Sequence, residues 1–219
     1  MKTLKFYSAL LLLTFFVSLG STFANSLNEK EKAGLQLMRE EEKLAHDVYT
    51  VLYEKWQLMP FSNITRSETR HFEAIGFLLE TYKLEDPAHE EPGKFRNKEL
   101  AALYDSLVAK GSESLVAALE VGAFIEEVDI NDLQELLEAK PEAQIATVYE
   151  NLLWGSENHI RAFTRNLSFR DQEYTPKVLS DATYAEIVGA NQQHGQNGKR
   201  MGQQACGMCN QGGAKCRNR

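Results

Sequence analysis

The stretch Phe61-Ser-Asn-Ile64-Thr-Arg-Ser-Glu68-Thr-Arg-His71-Phe72-Glu73-Ala-Ile75-Gly-Phe-Leu-Leu79-Glu80-Thr-Tyr82 decides how this chain is read. Wound at about 100° per residue, Phe61, Ile64, Phe72, Ile75, Leu79 and Tyr82 fall on one apolar stripe of a helix. Glu68 lies at the middle of that stripe and His71 at its edge, whereas Glu73 and Glu80 point to the opposite side. A carboxylate where a hydrophobe is demanded costs several kcal/mol of desolvation unless an opposite charge sits beside it. Glu68 and His71 leave the same face of one helical turn, so both side chains can reach a single ion.

Three other helical stretches repeat the exception. In the first, Leu37, Met38, Leu44, Ala45, Val48 and Leu52 form the stripe, whose centre lies nearer Glu41 than Glu42; either acid can face inward. In the third, Leu115, Leu119, Gly122, Ile130, Leu133 and Leu137 share a face with Glu126 and Asp129, while Glu127 and Glu135 are expected to face water. In the fourth, Ile145, Val148, Leu152 and Phe163 share a face with His159, and Glu157 falls outside it. The candidate metal ligands are therefore Glu41 or Glu42, Glu68, His71, Glu126, Asp129 and His159. Four carboxylates and two neutral imidazoles balance two divalent ions, and hard oxygen ligands mixed with imidazole suit iron or manganese, zinc less obviously.

The pattern predicts an all-α chain. Long helices are expected over roughly 29–57, 64–83, 112–138 and 141–166, with a shorter one from Glu99 to Lys110 stopped by Gly111. Pro60, Pro87, Pro92 and Pro141 are expected between helices, Ser62 and Ser112 as N-caps, and Ser180 to Val188 as a short docking helix. Residues 1–24 read as an export signal, with Lys2 and Lys5, an apolar run from Ala9 to Val17, and Thr22-Phe23-Ala24 before the cut. Processing there leaves residues 25–188 as the helical domain and moves the net charge from -7 to -9. From Gly189 to 219 the chain is rich in Gly, Gln and Asn, basic and poor in apolar residues, and is expected to be a disordered tail.

No later segment approaches the ~20 apolar residues of a membrane span, and an acidic body argues against nucleic acid as a partner. The three cysteines, Cys206, Cys209 and Cys216, all lie in the tail, so the body has no disulfide available. With His194 they number enough for a tetrahedral ion, and a Cys206–Cys209 disulfide is an equal alternative.

The strings Glu42-x-x-Ala45-x-x-x-Tyr49, Glu68-x-x-His71, Glu126-x-x-Asp129 and Gly155-Ser156-Glu157-Asn158-His159 resemble the ferritin-like superfamily, and rubrerythrins in particular. More narrowly, residues 30–167 are similar to a bacterial ferritin-like domain family of unassigned function. The resemblance implies a ferritin-like four-helix bundle with a short extra helix. It also implies a carboxylate-bridged pair of metal ions, in which Glu68 and Glu126 bridge and Glu41 or Glu42 and Asp129 are terminal. His71 and His159 would serve one ion each. The fourth helix departs from the pattern: Ser156 stands three residues before His159 where the superfamily has Glu. The single Cys-x-x-Cys pair also falls short of the two pairs in a rubredoxin-like site.

On this reading the chain is a secreted or periplasmic metal-binding protein whose partners are metal ions and dioxygen or peroxide, with a homodimer admissible. Ferroxidase or peroxidase chemistry is one expectation. A non-enzymatic module that sequesters metal, or a purely structural bundle whose acids pair with Arg70, Arg161 or Lys43, is the other. Tyr49, Tyr82 and Tyr149 are candidates to sit near the ions. Glycine-rich phosphate loops and hydrolase nucleophile motifs are not found.

Overall fold

The computed structural model describes residues 27–190, and these form six helices with no strand among them: α1 (Glu29–Trp56), α2 (Met59–Thr81), α3 (Lys98–Gly111), α4 (Leu115–Glu138), α5 (Ala143–Ser168) and α6 (Asp181–Gly189). The expected export signal, the Cys-containing tail and His194 lie outside the described residues. Among the described residues no helix is long and apolar enough to cross a membrane.

The helices start where side chains can take up their free N–H groups. Asn28 and Glu31 form a reciprocal capping box at α1, Asn97 caps α3, Ser114 caps α4 and Ser180 caps α6. Two boundaries differ from the sequence expectation. Pro60 lies inside the first turn of α2, where its missing N–H has no helical acceptor to lose, so the helix begins at Met59 and Ser62 caps nothing. Ser112 closes α3 instead of opening α4.

The four long helices make two hairpins, α1 with α2 and α4 with α5, joined by a crossover that contains α3. The interior is two apolar layers. One holds Val48, Tyr49 and Leu52 of α1, Phe61 and Ile64 of α2, Leu119 of α4, and Phe163 and Leu167 of α5. The other holds Leu35 and Met38 of α1, Ile75 and Leu79 of α2, Leu133 of α4, and Ile145 and Tyr149 of α5. In α1 and α5 the chain runs from the second layer to the first, and in α2 and α4 it runs back. Glu42, Glu68, Glu126 and His159 fall between the two layers on their respective helices. The packing that supplies about 1.5–3 kcal/mol per buried large side chain thus brackets a polar stratum across mid-bundle.

The crossover is held by the outer side of α1. Arg39 forks onto Asp86 (3.0, 3.1 and 2.7 Å), and Asp47 accepts from Gly93 N at 2.9 Å and from Lys43 Nζ at 2.5 Å. Glu40 accepts from the backbone N–H groups of Arg96 and Asn97. Lys43 also donates to Glu91 O at 2.9 Å. Tyr82 lies away from the polar stratum, donating to Glu142.

Candidate metal centre

Glu42, Glu68 and Glu126 are fully buried, Asp129 is 2 % exposed and His159 8 %. Their helices carry them inward for the reason the sequence suggested: each lies on the apolar stripe of its helix. Two groups of three converge, Glu42 with Glu68 and His71, and Glu68 with Glu126 and His159; within each group the potential ligand atoms all lie within 4.8 Å of one another. Glu68 belongs to both groups. Its Oε2 is 2.9 Å from His71 Nδ1 and its Oε1 is 2.8 Å from His159 Nδ1. His71 Nδ1 also lies 3.3 Å from Glu42, and His159 Nδ1 3.3 Å from Glu126. The two imidazoles stack with centroids 5.6 Å apart and 23° between planes.

Among the described residues, neither oxygen of Glu42 or Glu68 makes a hydrogen bond, nor does His71 Nδ1 or Asp129 Oδ2. The His71 and Glu68 atoms are close without being aligned as donor and acceptor. Buried polar atoms are nearly always paired. Buried, orphaned ligand atoms on four neighbouring residues form an arrangement that could hold a metal ion, and a donor set of carboxylates and imidazoles suits iron or manganese. Each of the two groups could hold a metal ion.

Electrostatics within the stratum point the same way. Burial, with Glu68's charge added and His71 opposing, pushes Glu42 up to about 8. Burial, then the charges of Glu42 and Glu126, raises Asp129 well above the usual carboxylate range. Burial also raises Glu126, with His159 opposing it. Glu68 runs opposite: burial alone would raise it, but His159 and His71 outweigh that and hold it below the ordinary value. Burial would lower both histidines; Glu42 and Glu68 instead lift His71 to about 10, and Glu126 and Glu68 lift His159. The stratum has more acid than its two imidazoles can compensate.

The structure separates the alternatives for α1. Glu42 joins the converging group, whereas Glu41 is raised by burial and by Asp132 beside it and lies in neither group. Asp129 is buried near Glu42 and Glu126 but also lies outside both groups. Glu126 belongs to one group only, so the shared acid is Glu68 alone. Tyr49 is the tyrosine at the site, its Oη donating to Glu126 Oε1 at 2.6 Å. Tyr149 makes no hydrogen bond and packs in the second apolar layer. The basic residues offered as structural partners are engaged elsewhere: Lys43 with Asp47, and Arg161 with Glu157 at 3.6 Å. Among the described residues Arg70 has no ion-pair partner.

Two features near these groups, Gly155 and the surroundings of Glu127, were not legible beforehand, whereas Ser156 is the departure the sequence already marks. A Cβ on Gly155 would stand 2.6 Å from His71 Cε1 and 2.7 Å from Nε2, so this glycine makes the space for the imidazole. Ser156 is fully buried and donates back to Leu152 O at 3.3 Å, adding no group to the cluster. Glu127, expected to face water, is fully buried on the far side of α4. There it accepts from Lys177 N, Val178 N, Leu179 N (2.7, 2.7 and 2.8 Å) and Tyr174 Oη (2.5 Å).

The sequence profile of the family described as an uncharacterized protein domain, DUF2202, matches residues 31–191. The chain belongs to the DUF2202 family. Within DUF2202 the matched span contains every residue of the two converging groups. The uncharacterized protein MJ0754 of Methanocaldococcus jannaschii is 46 % identical over 172 residues, covering 78 % of this chain and 93 % of that protein. The crystal structure of hypothetical protein MJ0754 from Methanococcus jannaschii superposes with a TM-score of 0.73 at 48 % identity, covering 74 % of this chain and 94 % of the other. The DUF2202 helical fold is thus shared with that protein.

Proposed function

We propose that this chain is an exported ferritin-like protein that binds two iron or manganese ions and acts on dioxygen or peroxide, oxidising Fe(II) or reducing peroxide. The observation that carries the reading is Glu68, whose two oxygens lie 2.9 and 2.8 Å from imidazole nitrogens of opposite groups. Glu42 and His71 would hold one ion, Glu126 and His159 the other, and Glu68 would serve both. Bound ions would supply Lewis acidity and electron exchange toward the oxidant. The chain's own residues supply the rest. Tyr49 fixes the orientation of Glu126, Asp129 stands by as a further carboxylate, and the apolar layers exclude water on the two sides along the bundle. Outer hydrogen-bond partners of this kind orient metal ligands, and losing one typically costs about 10–100-fold in affinity.

A second reading is a non-enzymatic metal-sequestering module, and Ser156 favours it by leaving α5 with one ligand in place of two. Elemental analysis after anaerobic loading with Fe(II), followed by exposure to air, separates the two. Two irons per chain with an oxygen-dependent absorption change supports the oxidase reading; bound iron that stays Fe(II) supports sequestration. Glu68→Ala combined with His71→Ala should abolish metal retention, and unchanged metal content in that variant would defeat both.

A further inference from the structure

The outer edges of the two histidines form the floor of a cavity of 470 Å³ between α2 and α5. Its walls are Ala74, Val148, Leu152 and the indole of Trp154, which is 68 % exposed, and its rim carries Arg70 and Asn151. The lining contains no aspartate or glutamate, although the layer beneath it is rich in both. Among the described residues Arg70 has neither an ion pair nor a hydrogen bond of its own, so its guanidinium is the single unspent charge at the opening.

Three properties of this cavity define what it takes. A passage for divalent cations would be edged with carboxylates; this one is edged with an arginine. Its volume is an order of magnitude above the ~30 Å³ of one water, far more than dioxygen or hydrogen peroxide needs, and it lies in the ~300–1,000 Å³ range of small-molecule sites. Finally, Nδ1 of each histidine faces the carboxylates within. With Nδ1 committed to a metal, the ring hydrogen of each imidazole sits on Nε2, at the opposite edge of the ring, where Nε2 of His71 also lies 3.4 Å from Ser67 Oγ.

We propose that the cleft between α2 and α5 binds a small organic anion, a carboxylate carried on an apolar body, its head toward Arg70 and the imidazole N–H groups and its body against Trp154. The imidazole part of this inference rests on the metal-binding reading above; the parts of Arg70 and Trp154 do not. Trp154 is one of two tryptophans in the chain and stands in the wall itself, so its fluorescence reports occupancy directly.

The test is a fluorescence titration of the full chain with benzoate and, separately, with benzylamine, a cation of the same size, on chelator-treated protein and on protein loaded with Zn(II). Benzoate should give a saturable change and benzylamine none. Arg70→Gln, an exposed substitution that leaves the core untouched, should weaken benzoate by about tenfold or more, the size of a lost charge-assisted contact. Trp154→Phe should remove the optical signal while line broadening of benzoate in NMR spectra persists. Equal binding of benzylamine, an Arg70→Gln affinity within about twofold of the parent, or a signal that survives Trp154→Phe each overturns the proposal. Metal content measured on the same samples keeps a failure of the dinuclear reading separate: binding that needs Arg70 in metal-free protein upholds the anion site even if no ion is retained.

Discussion

Glu126 and Glu127 are adjacent on α4 and both fully buried, yet they serve opposite surroundings. Glu126 meets Tyr49 Oη at 2.6 Å and His159 Nδ1 at 3.3 Å inside the bundle. Glu127 closes on three backbone N–H groups and one phenol of the segment that follows α5. Both acids find partners in their own chain, but Glu127 is held by a closed set of backbone and phenol donors, whereas Glu126 shares its imidazole partner with Glu68 in a converging group.

Glu127→Gln should therefore loosen the segment that ends in α6 without touching the proposed metal centre. Losing a charged acceptor for several donors costs about 2–3 kcal/mol. Hydrogen exchange at Lys177, Val178 and Leu179 should accelerate while metal content stays at the parent value. Unaltered exchange there would show the clasp to be unimportant.

Gly155→Ala drives a methyl group into the space of the His71 ring. The expected result is a loss of about 1–3 kcal/mol in stability from overpacking and, on the proposed two-ion reading, selective loss of the ion on the Glu42 side. Metal analysis should fall from two ions toward one. Two retained ions would mean that His71 shifts without consequence.

Tyr49→Phe removes the hydroxyl that positions Glu126 and keeps the ring that packs on Phe61 and Phe163. Loss of an outer hydrogen-bond partner typically weakens metal affinity by about 10–100-fold. Competition with a graded series of chelators reads this directly. Thermal melts of the metal-free variant should change by only about 1 kcal/mol.

Asp47 predicts the acid limb of stability. Burial alone would raise its carboxyl, but His46, Lys43 and the N–H of Gly93 outweigh that and hold it below its ordinary value of 3.8. A depressed folded-state value means that its contribution is fully present above about pH 4 and is lost as pH falls through the lower folded value. Melting temperatures of the parent and of Asp47→Asn should differ by a constant amount above pH 4 and converge below it. A gap that persists down to pH 2 would exclude the carboxylate as its source.

Local pattern carried much of this fold. The stripes on four helices placed Glu68, His71, Glu126 and His159 inward, because a side chain's face on a helix is set by its own spacing. Choosing between Glu41 and Glu42 needed the tertiary partners: both are buried, but only Glu42 is met by Glu68 and His71, from another helix. Glu127 was misread because its partners come from residues 174–179, beyond the bundle, and no wheel contains them. The short apolar run Val178-Leu179 after Tyr174 was the available signal, since such a segment needs an anchor. Pro60 was assigned to a loop although the first turn of a helix tolerates it equally well. Gly155 left no trace in periodicity, since a glycine's part lies in what it leaves room for.

Glu68 has one further consequence. A single carboxylate whose two oxygens address two histidines cannot rotate toward one without turning from the other. On the two-ion reading proposed above, the two groups are mechanically geared through one side-chain torsion, so the first occupant sets the posture in which the second is received. Loading should be stepwise and unequal, with an affinity for the second ion that is a property of the pair and belongs to neither half alone.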